Sequence, residues 1–268
     1  MIDDKKFNLF LDSLNINKGD ILYISSDIIK ILYYFKKKKK FFKIEEFLQY
    51  FINRVGKNGT ILIPTFSWDF CRYGLFDTLK TKSVTGAISN YVLKRDDFIR
   101  TKHPMFSFAI YGKYAQKLSK IDCMTGWSNI SIFDFMYKKN AKNLIIGKDY
   151  KPIFTFMHYI EQKVQVNYRF FKNFKGKYIN DQRIEKKVIY QMYARKENIF
   201  NTLVSTLSEE YDEIMIKKKC YNKRYFNNIY FGIINLKLAG DILEKDMRSE
   251  KKLLFLAKEN YKKIFKID

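Results

Sequence analysis

His158 and Glu161 are the residues whose types and spacing bear most directly on chemistry. They lie in the stretch Thr155-Phe156-Met157-His158-Tyr159-Ile160-Glu161, and the chain holds only two histidines. On a helix, Thr155, His158 and Glu161 fall at i, i+3 and i+6 and loosely share a face. A carboxylate that holds one imidazole nitrogen fixes the tautomer and raises basicity at the other, which is how a general base is built. Spacing alone favours a plainer outcome, an amphipathic helix with one satisfied core histidine. The second histidine, His103, sits in Thr101-Lys102-His103-Pro104-Met105-Phe106-Ser107, where the proline keeps it extended. That turn either presents donors to a ligand or is structural, and structural turns are the commoner kind. Ser25 and Ser26 follow one apolar run, and Thr65, Phe66 and Ser67 follow another. Hydroxyls and free N–H groups at the carboxyl ends of parallel strands line the crevice where open α/β sheets bind ligands, although Ser26 or Asp27 would also serve as a helix N-cap. GxGxxG, P-loop and GxSxG patterns are missing, so dinucleotide, NTPase and hydrolase-elbow chemistry lack support.

The rest of the composition narrows the class. Cys71, Cys123 and Cys220 are odd in number and far apart, with no metal-ligand spacing, and read as structural thiols in a reducing compartment. With 268 residues, 47% hydrophobic and 18% aromatic, the chain is globular. The opening MIDDKKFNLFLDSL reads as an amphipathic helix with early acids, without the basic head and apolar stretch of a signal peptide. No apolar run reaches membrane-spanning length, so the expected location is the cytoplasm. The formal charge is +23. Its largest share reads as drift toward A/T-rich codons, since Lys, Asn, Ile, Phe and Tyr rise together. The remainder still raises the capture rate of anionic ligands. The run Lys36 to Lys40, bracketed by Phe35, Phe41 and Phe42, reads as a solvated loop between two helices, with a phosphate- or membrane-binding patch as the second reading.

The elements that must position these residues alternate through the first half. Strands are predicted at Asp20 to Ser25, at the TILIP run after Gly59, at Phe106 to Tyr111 and at Asn143 to Ile146. Helices are predicted at Ile44 to Val55, Gly86 to Arg95 and Ile130 to Lys139. Apolar strands separated by helical patterns predict a largely parallel sheet covered on both faces. From Val164 to Tyr193, basic and aromatic residues alternate as in antiparallel ribbons. A helix is then expected at Asn198 to Leu207, a strand at Tyr230 to Ile234, and helices at Leu236 to Met247 and Lys251 to Phe265.

Taken in order, GDILYISSDI, GTILIPTFSW, a Gly-Ala-Ile helix start, TKHPMFSFAIYG, TGWSNISIFDFMYKKNAKNLIIG, FTFMHYIE and FGIINLKLAGDIL resemble the aminoglycoside 3-N-acetyltransferase family over nearly the full chain. HPxxSxxxxG and TxxHxxE are the specific parts. The resemblance implies an α/β/α fold; with the patterning above, the expectation is a three-layer α/β/α sandwich with a largely parallel sheet, a basic antiparallel insertion around 165–195, and one acyltransferase domain over 1–268. It implies transfer of an acyl group from acyl-CoA, acetyl-CoA or a related thioester, to a sugar amine, with no metal. It assigns His158 as catalytic base and Glu161 as its partner, and places Ser25, Ser26, Thr65 and Ser107 along the acyl-CoA cleft. Trp68, His103 and Arg169 are assigned to the acceptor. Resistance enzymes of the family often carry an acid six residues before the histidine, where this chain has Pro152.

The charge balance then steers the choice of acceptor. A polycation gains nothing at a surface with 51 basic and 28 acidic side chains. The expected acceptor is therefore a small amino sugar, nucleotide-linked and destined for surface polysaccharide. Arg169, Lys172, Lys175 and Lys177, among Tyr168, Phe170, Phe171 and Tyr178, would grip its phosphates or form an exposed basic ribbon. The alternative is aminoglycoside 3-N-acetylation. A non-enzymatic nucleic-acid binder is the remoter rival, disfavoured because the basic residues are scattered. No nucleic-acid partner is expected, and a homodimer is left open.

Overall fold

The computed structural model describes residues 2, 4–151, 153–196 and 207–249. The chain begins with α1 (Lys5–Asp12), whose first turn is capped by the Asp4 carboxylate accepting from the Phe7 N–H. There follow β1 (Ile21–Ser26), α2 (Ile29–Lys37), α3 (Ile44–Val55), β2 (Thr60–Pro64), α4 (Asp69–Tyr73), β3 (Leu75–Asp77), α5 (Ala87–Val92), β4 (Ile99–Arg100) and β5 (Phe108–Gly112). Next come α6 (Ala115–Ser119), α7 (Ile132–Lys138), β6 (Lys142–Ile146), α8 (Phe156–Val164), β7 (Arg169–Ile179) and β8 (Glu185–Arg195). The last elements are α9 (Glu209–Lys217), β9 (Tyr221–Phe226), β10 (Ile229–Asn235) and α10 (Leu236–Arg248).

Seven strands form one sheet in the order β4-β5-β2-β1-β6-β10-β9. Only β1–β2 and β1–β6 are parallel; β2–β5, β4–β5, β6–β10 and β9–β10 are antiparallel. The chain is thus α/β, but the expected largely parallel sheet is corrected to a mixed one. An apolar run records burial on both faces, and burial does not depend on the direction of the neighbouring strand.

Alternation along the central strands splits the interior in two. Ile21 and Tyr23 of β1 enter one core with Leu62, Phe108, Phe133 and Met157. Leu22 and Ile24 enter the other with Ile61, Ile63, Phe35, Phe47 and Phe51. Each such side chain contributes about 1.5–3 kcal/mol on burial, which favours packing on both faces. The first core holds α7, α8 and α10; the second holds α1, α2 and α3. At the end of β6, Gly147 has φ +85, and a Cβ there would collide with the Asp27 carbonyl, so the chain leaving β6 must pass tightly against the end of β1.

The basic segment forms a long hairpin, β7–β8, in register from Arg169↔Arg195 to Ile179↔Glu185. β3 joins it in parallel, making a separate three-stranded sheet. Among the described residues no helix is long and apolar enough to cross a membrane. The helix expected over Asn198–Leu207 lies outside the described residues except for Leu207, and that over Lys251–Phe265 lies wholly outside them, as does Pro152.

Candidate active site

α8 opens within the first core and turns its His158 face toward the hairpin. Its buried positions, Phe156, Met157, Tyr159, Ile160 and Glu161, anchor it. His158 remains 21% exposed by side chain while Glu161 is only 2% exposed. The His158 Nδ1–H donates to Glu161 Oε2 at 2.6 Å. Arg169, the first residue of β7, forms an ion pair with the same oxygen, its Nη2 2.8 Å away, and the Tyr168 hydroxyl donates to Oε1 at 2.9 Å. Arg169 Nη1 also donates to the Tyr193 carbonyl at 2.9 Å. Arg169 Nη2 lies 3.0 Å from Nδ1 as well. Both atoms are donors here, so the shared carboxylate oxygen is what holds them together.

The electrostatics follow from that packing. Burial pushes the Glu161 carboxyl up, but Arg169, His158 and the Tyr168 hydroxyl outweigh it and hold it at about 2. Glu161 is therefore an anion at neutral pH and an acceptor only. It fixes the proton on Nδ1 and leaves the Nε2 lone pair free. Burial and the Arg169 charge push the His158 pKa below the ordinary imidazole value, with Glu161 pulling the other way. The ring is neutral near pH 7, with its basic nitrogen on the edge away from the carboxylate.

That edge faces a cavity of about 670 Å³. Phe66, Trp68, Phe106 and Trp127 form one wall, Thr155 and His158 the α8 side, and the hairpin supplies Arg169, Lys172, Arg195 and a strip of apolar groups. Phe170, Lys172 and Phe174 alternate along β7 and pair with Ala194, Met192 and Tyr190 of β8, so one face of the hairpin makes the third wall. Trp127 meets the His158 ring edge-on at 5.1 Å and packs on Phe106 at 4.4 Å. Directly before it, a Cβ on Gly126 would stand 2.6 Å from the Phe106 ring, so glycine permits that stack. Among the described residues no carboxylate lines the cavity. Burial, then Arg169, lowers the pKa of Arg195.

The structure brings His158, Glu161, Arg169 and Trp68 to one place and leaves the other expected residues outside it. Arg169, assigned to the acceptor, lines the cavity and also holds Glu161. Thr65 and Ser107 are fully buried and hydrogen-bond to each other at 2.9 Å. Arg100 donates to Ser107 Oγ and to the Thr65 carbonyl at 3.2 Å each, and its burial depresses its own pKa to about 10. This network ties β2 to β5, so neither hydroxyl reaches the cavity. Ser25 is buried, 3.5 Å from Asn143 Oδ1, and Ser26 ends β1; neither lines the cavity, although Tyr23 links Ser25 to Thr155, which does.

His103 is likewise corrected to a structural role. Its Nδ1 accepts from the N–H groups of Met105 at 3.3 Å and Phe106 at 3.1 Å, and the ring is buried against Phe106 and Tyr190. Burial lowers its pKa to about 3. Trp127 is the residue the motifs underweighted. The chain has only two tryptophans, and both line this cavity.

A sequence model described as aminoglycoside 3-N-acetyltransferase matches residues 39–226. No curated protein matches the chain. Among solved structures, the aminoglycoside acetyltransferase AAC(3)-Xa superposes with a TM-score of 0.73 at 13% identity, over 90% of each chain. AAC-IIIb in a binary complex with CoASH gives 0.71 at 11% identity, covering 91% of this chain and 95% of that one. The YokD protein from Bacillus subtilis gives 0.68 at 19% identity, covering 89% and 95%. At these identities the superpositions show the fold. The family match overturns the expected nucleotide-linked acceptor for polysaccharide and backs the alternative. The charge argument does not identify the acceptor at either scale, because the described cavity lining is itself basic, with Arg169, Lys172 and Arg195 and no carboxylate.

Proposed function

The chain belongs to the aminoglycoside 3-N-acetyltransferase family and so is an acetyl-CoA-dependent N-acetyltransferase; from that premise we propose that it acetylates an amine of an aminoglycoside-type amino sugar, with His158 as general base. The observation carrying this reading is the 2.6 Å His158–Glu161 hydrogen bond, which leaves Nε2 unprotonated on a cavity of about 670 Å³. In this reading residues 1–268 act as one catalytic domain in the cytoplasm, a three-layer α/β/α arrangement with the cavity at its hairpin side.

The cavity lining fits an anionic thioester co-substrate. Lys172 and Arg195 supply positive charge without a lining carboxylate, and Phe66, Trp68, Phe106 and Phe174 supply apolar wall. Acetyl-CoA supplies the activated acyl carbon. An alkylammonium has no lone pair, so the acceptor must lose a proton before it can attack. His158 Nε2 receives that proton, and Glu161 stabilises the resulting imidazolium through Nδ1–H. The amine then forms its C–N bond as the C–S bond breaks, CoA leaves as the thiol on taking one of the two protons the nitrogen sheds, and the other passes to solvent. Arg169 and Tyr168 keep the Glu161 carboxylate ionised and fixed, which makes Glu161 a positioning residue.

The test is thiol release from acetyl-CoA with a panel of aminoglycosides, comparing the native chain with His158→Ala. Turnover by the native chain and its loss in a folded His158→Ala variant are expected. Equal turnover in the two proteins would end the assignment of His158. No turnover with any member of the panel would end the proposed acceptor class.

A further inference from the structure

On the opposite side of the sheet from His158, α2 carries an outer face that the described residues leave exposed. Ile31 and Phe35 point into the second core, while Ile29 is 70%, Tyr33 58% and Leu32 43% exposed. At 100° per residue, Leu32, Lys36, Ile29, Tyr33, Lys37 and Lys30 follow one another around a single arc of the helix. The loop after α2 adds Phe41, 92% exposed, beside Lys39. Apolar groups thus share one face with the lysines, Lys36 between Leu32 and Ile29 and Lys37 and Lys30 along the margin beyond Tyr33. Lys37 Nζ lies 4.7 Å from the Tyr33 ring, so its stem lies along the apolar surface with the ammonium outward.

Three acids nearby are already committed. Asp4 is bonded to Lys38 and Tyr34, Asp27 to Lys148, and Glu46 to Lys43. The patch therefore presents net positive charge around its exposed side chains. Residues 250–268 carry six lysines and three acids, a net charge of the same sign as the patch.

We propose that this face of α2 and the loop through Phe41 docks on an anionic lipid bilayer. The exposed aromatic and aliphatic groups would enter the headgroup boundary, and the lysines would meet acidic lipids around them. A polyanion such as RNA would satisfy the lysines but would leave Ile29, Leu32 and Phe41 in water. A second copy of the chain would bring like charges together. The patch belongs to the α1–α3 side of the sheet, whereas His158 belongs to the opposite core, so docking leaves the cavity accessible.

The test is co-sedimentation of the full chain with vesicles of phosphatidylcholine alone and with about one third phosphatidylglycerol, with the acetyl-transfer rate as a check on folding. Binding to the anionic vesicles alone is expected, weakening with salt. Each of Lys36→Gln, Lys37→Gln and Lys39→Gln should weaken it about fivefold, and Phe41→Ser about tenfold. Absence of binding to the anionic vesicles at physiological salt overturns the proposal. So does binding that tracks the lysines but ignores Phe41→Ser and Leu32→Ser, which is the behaviour of a polyanion site. Self-association abolished by Phe41→Ser, with no vesicle binding, overturns it in favour of a dimer.

Discussion

The His103–Pro104 turn and the first turn of α8 lie on either side of one aromatic pair. His103 packs on Phe106, Phe106 on Trp127, and Trp127 on His158. Both rings sit in low-dielectric surroundings that favour the neutral form. They differ in what meets Nδ1. At His103 two backbone N–H groups donate to it, so the proton must sit on Nε2, inside the protein. At His158 a carboxylate accepts from it, so the lone pair sits on Nε2, at the cavity. The same side chain becomes a turn brace or a base according to whether its near neighbour donates or accepts.

The hardest test of that contrast is removal of each ring in turn. His158→Ala should lower kcat about 10²- to 10⁴-fold, the usual contribution of a general base, while moving the thermal midpoint little. His103→Ala should do the reverse. It strands the Met105 and Phe106 N–H groups, each costing about 1–3 kcal/mol if left unpaired. The melting temperature should fall, and the rate per folded molecule should stay near that of the native chain. Steady-state kinetics beside calorimetry separates the two, and a crippled but stable His103→Ala enzyme would dissolve the distinction.

Glu161→Gln probes the neighbour itself. The amide keeps the shape but loses the charge, so Nδ1–H is no longer enforced and kcat should fall roughly 10- to 100-fold, less than for loss of the base. The sign of the pH effect is fixed. Burial and Arg169 lower the His158 pKa and Glu161 raises it, so the acid limb of kcat/KM lies below the ordinary value of about 6.5 and should move lower still in Glu161→Gln. An upward shift would mean that the carboxylate is not acting on this ring. Arg169 is left uncompensated, so a drop in stability accompanies the change, and rates are compared at a temperature where both proteins are folded.

How far these features could be read beforehand depended on how local their causes are. α3 is predicted and found at Ile44–Val55, because the apolar stripe and Gly56 mark it within a dozen residues. The hairpin shows in the alternation around Phe170, Lys172 and Phe174. Strand direction does not show, because Phe231 pairs with Ile146, 85 positions earlier, and nothing local records that pairing. β9 carries no such local signal, because Asn222, Lys223 and Arg224 suit an exposed edge and not a buried run. Within the site, the His158–Glu161 bond spans one helical turn and was legible as spacing. The Arg169 guanidinium arrives from the next element, so its hold on Glu161 was not. Thr65 and Ser107 looked like cleft hydroxyls because strand ends usually are; Arg100, arriving from β4, seals them.

The smallest expected effect concerns charge on the two sides of the Phe106–Trp127 pair. Lys172 lines the cavity on the His158 side, whereas Lys102 is an exposed neighbour of the buried His103. If the cavity takes the anionic co-substrate, Lys172→Gln should raise the KM for acetyl-CoA about two- to fivefold, the scale of a solvent-screened contact, and Lys102→Gln should leave it unchanged. Added salt should raise the same KM in the native chain and do so less in Lys172→Gln, because the screened attraction is already gone. For a polycationic acceptor the sign reverses, since salt relieves repulsion from Lys172 and Arg195 and should lower its KM. An acceptor KM that climbs with salt would require carboxylates close to the bound acceptor, and the wall facing His158 has none among its described residues.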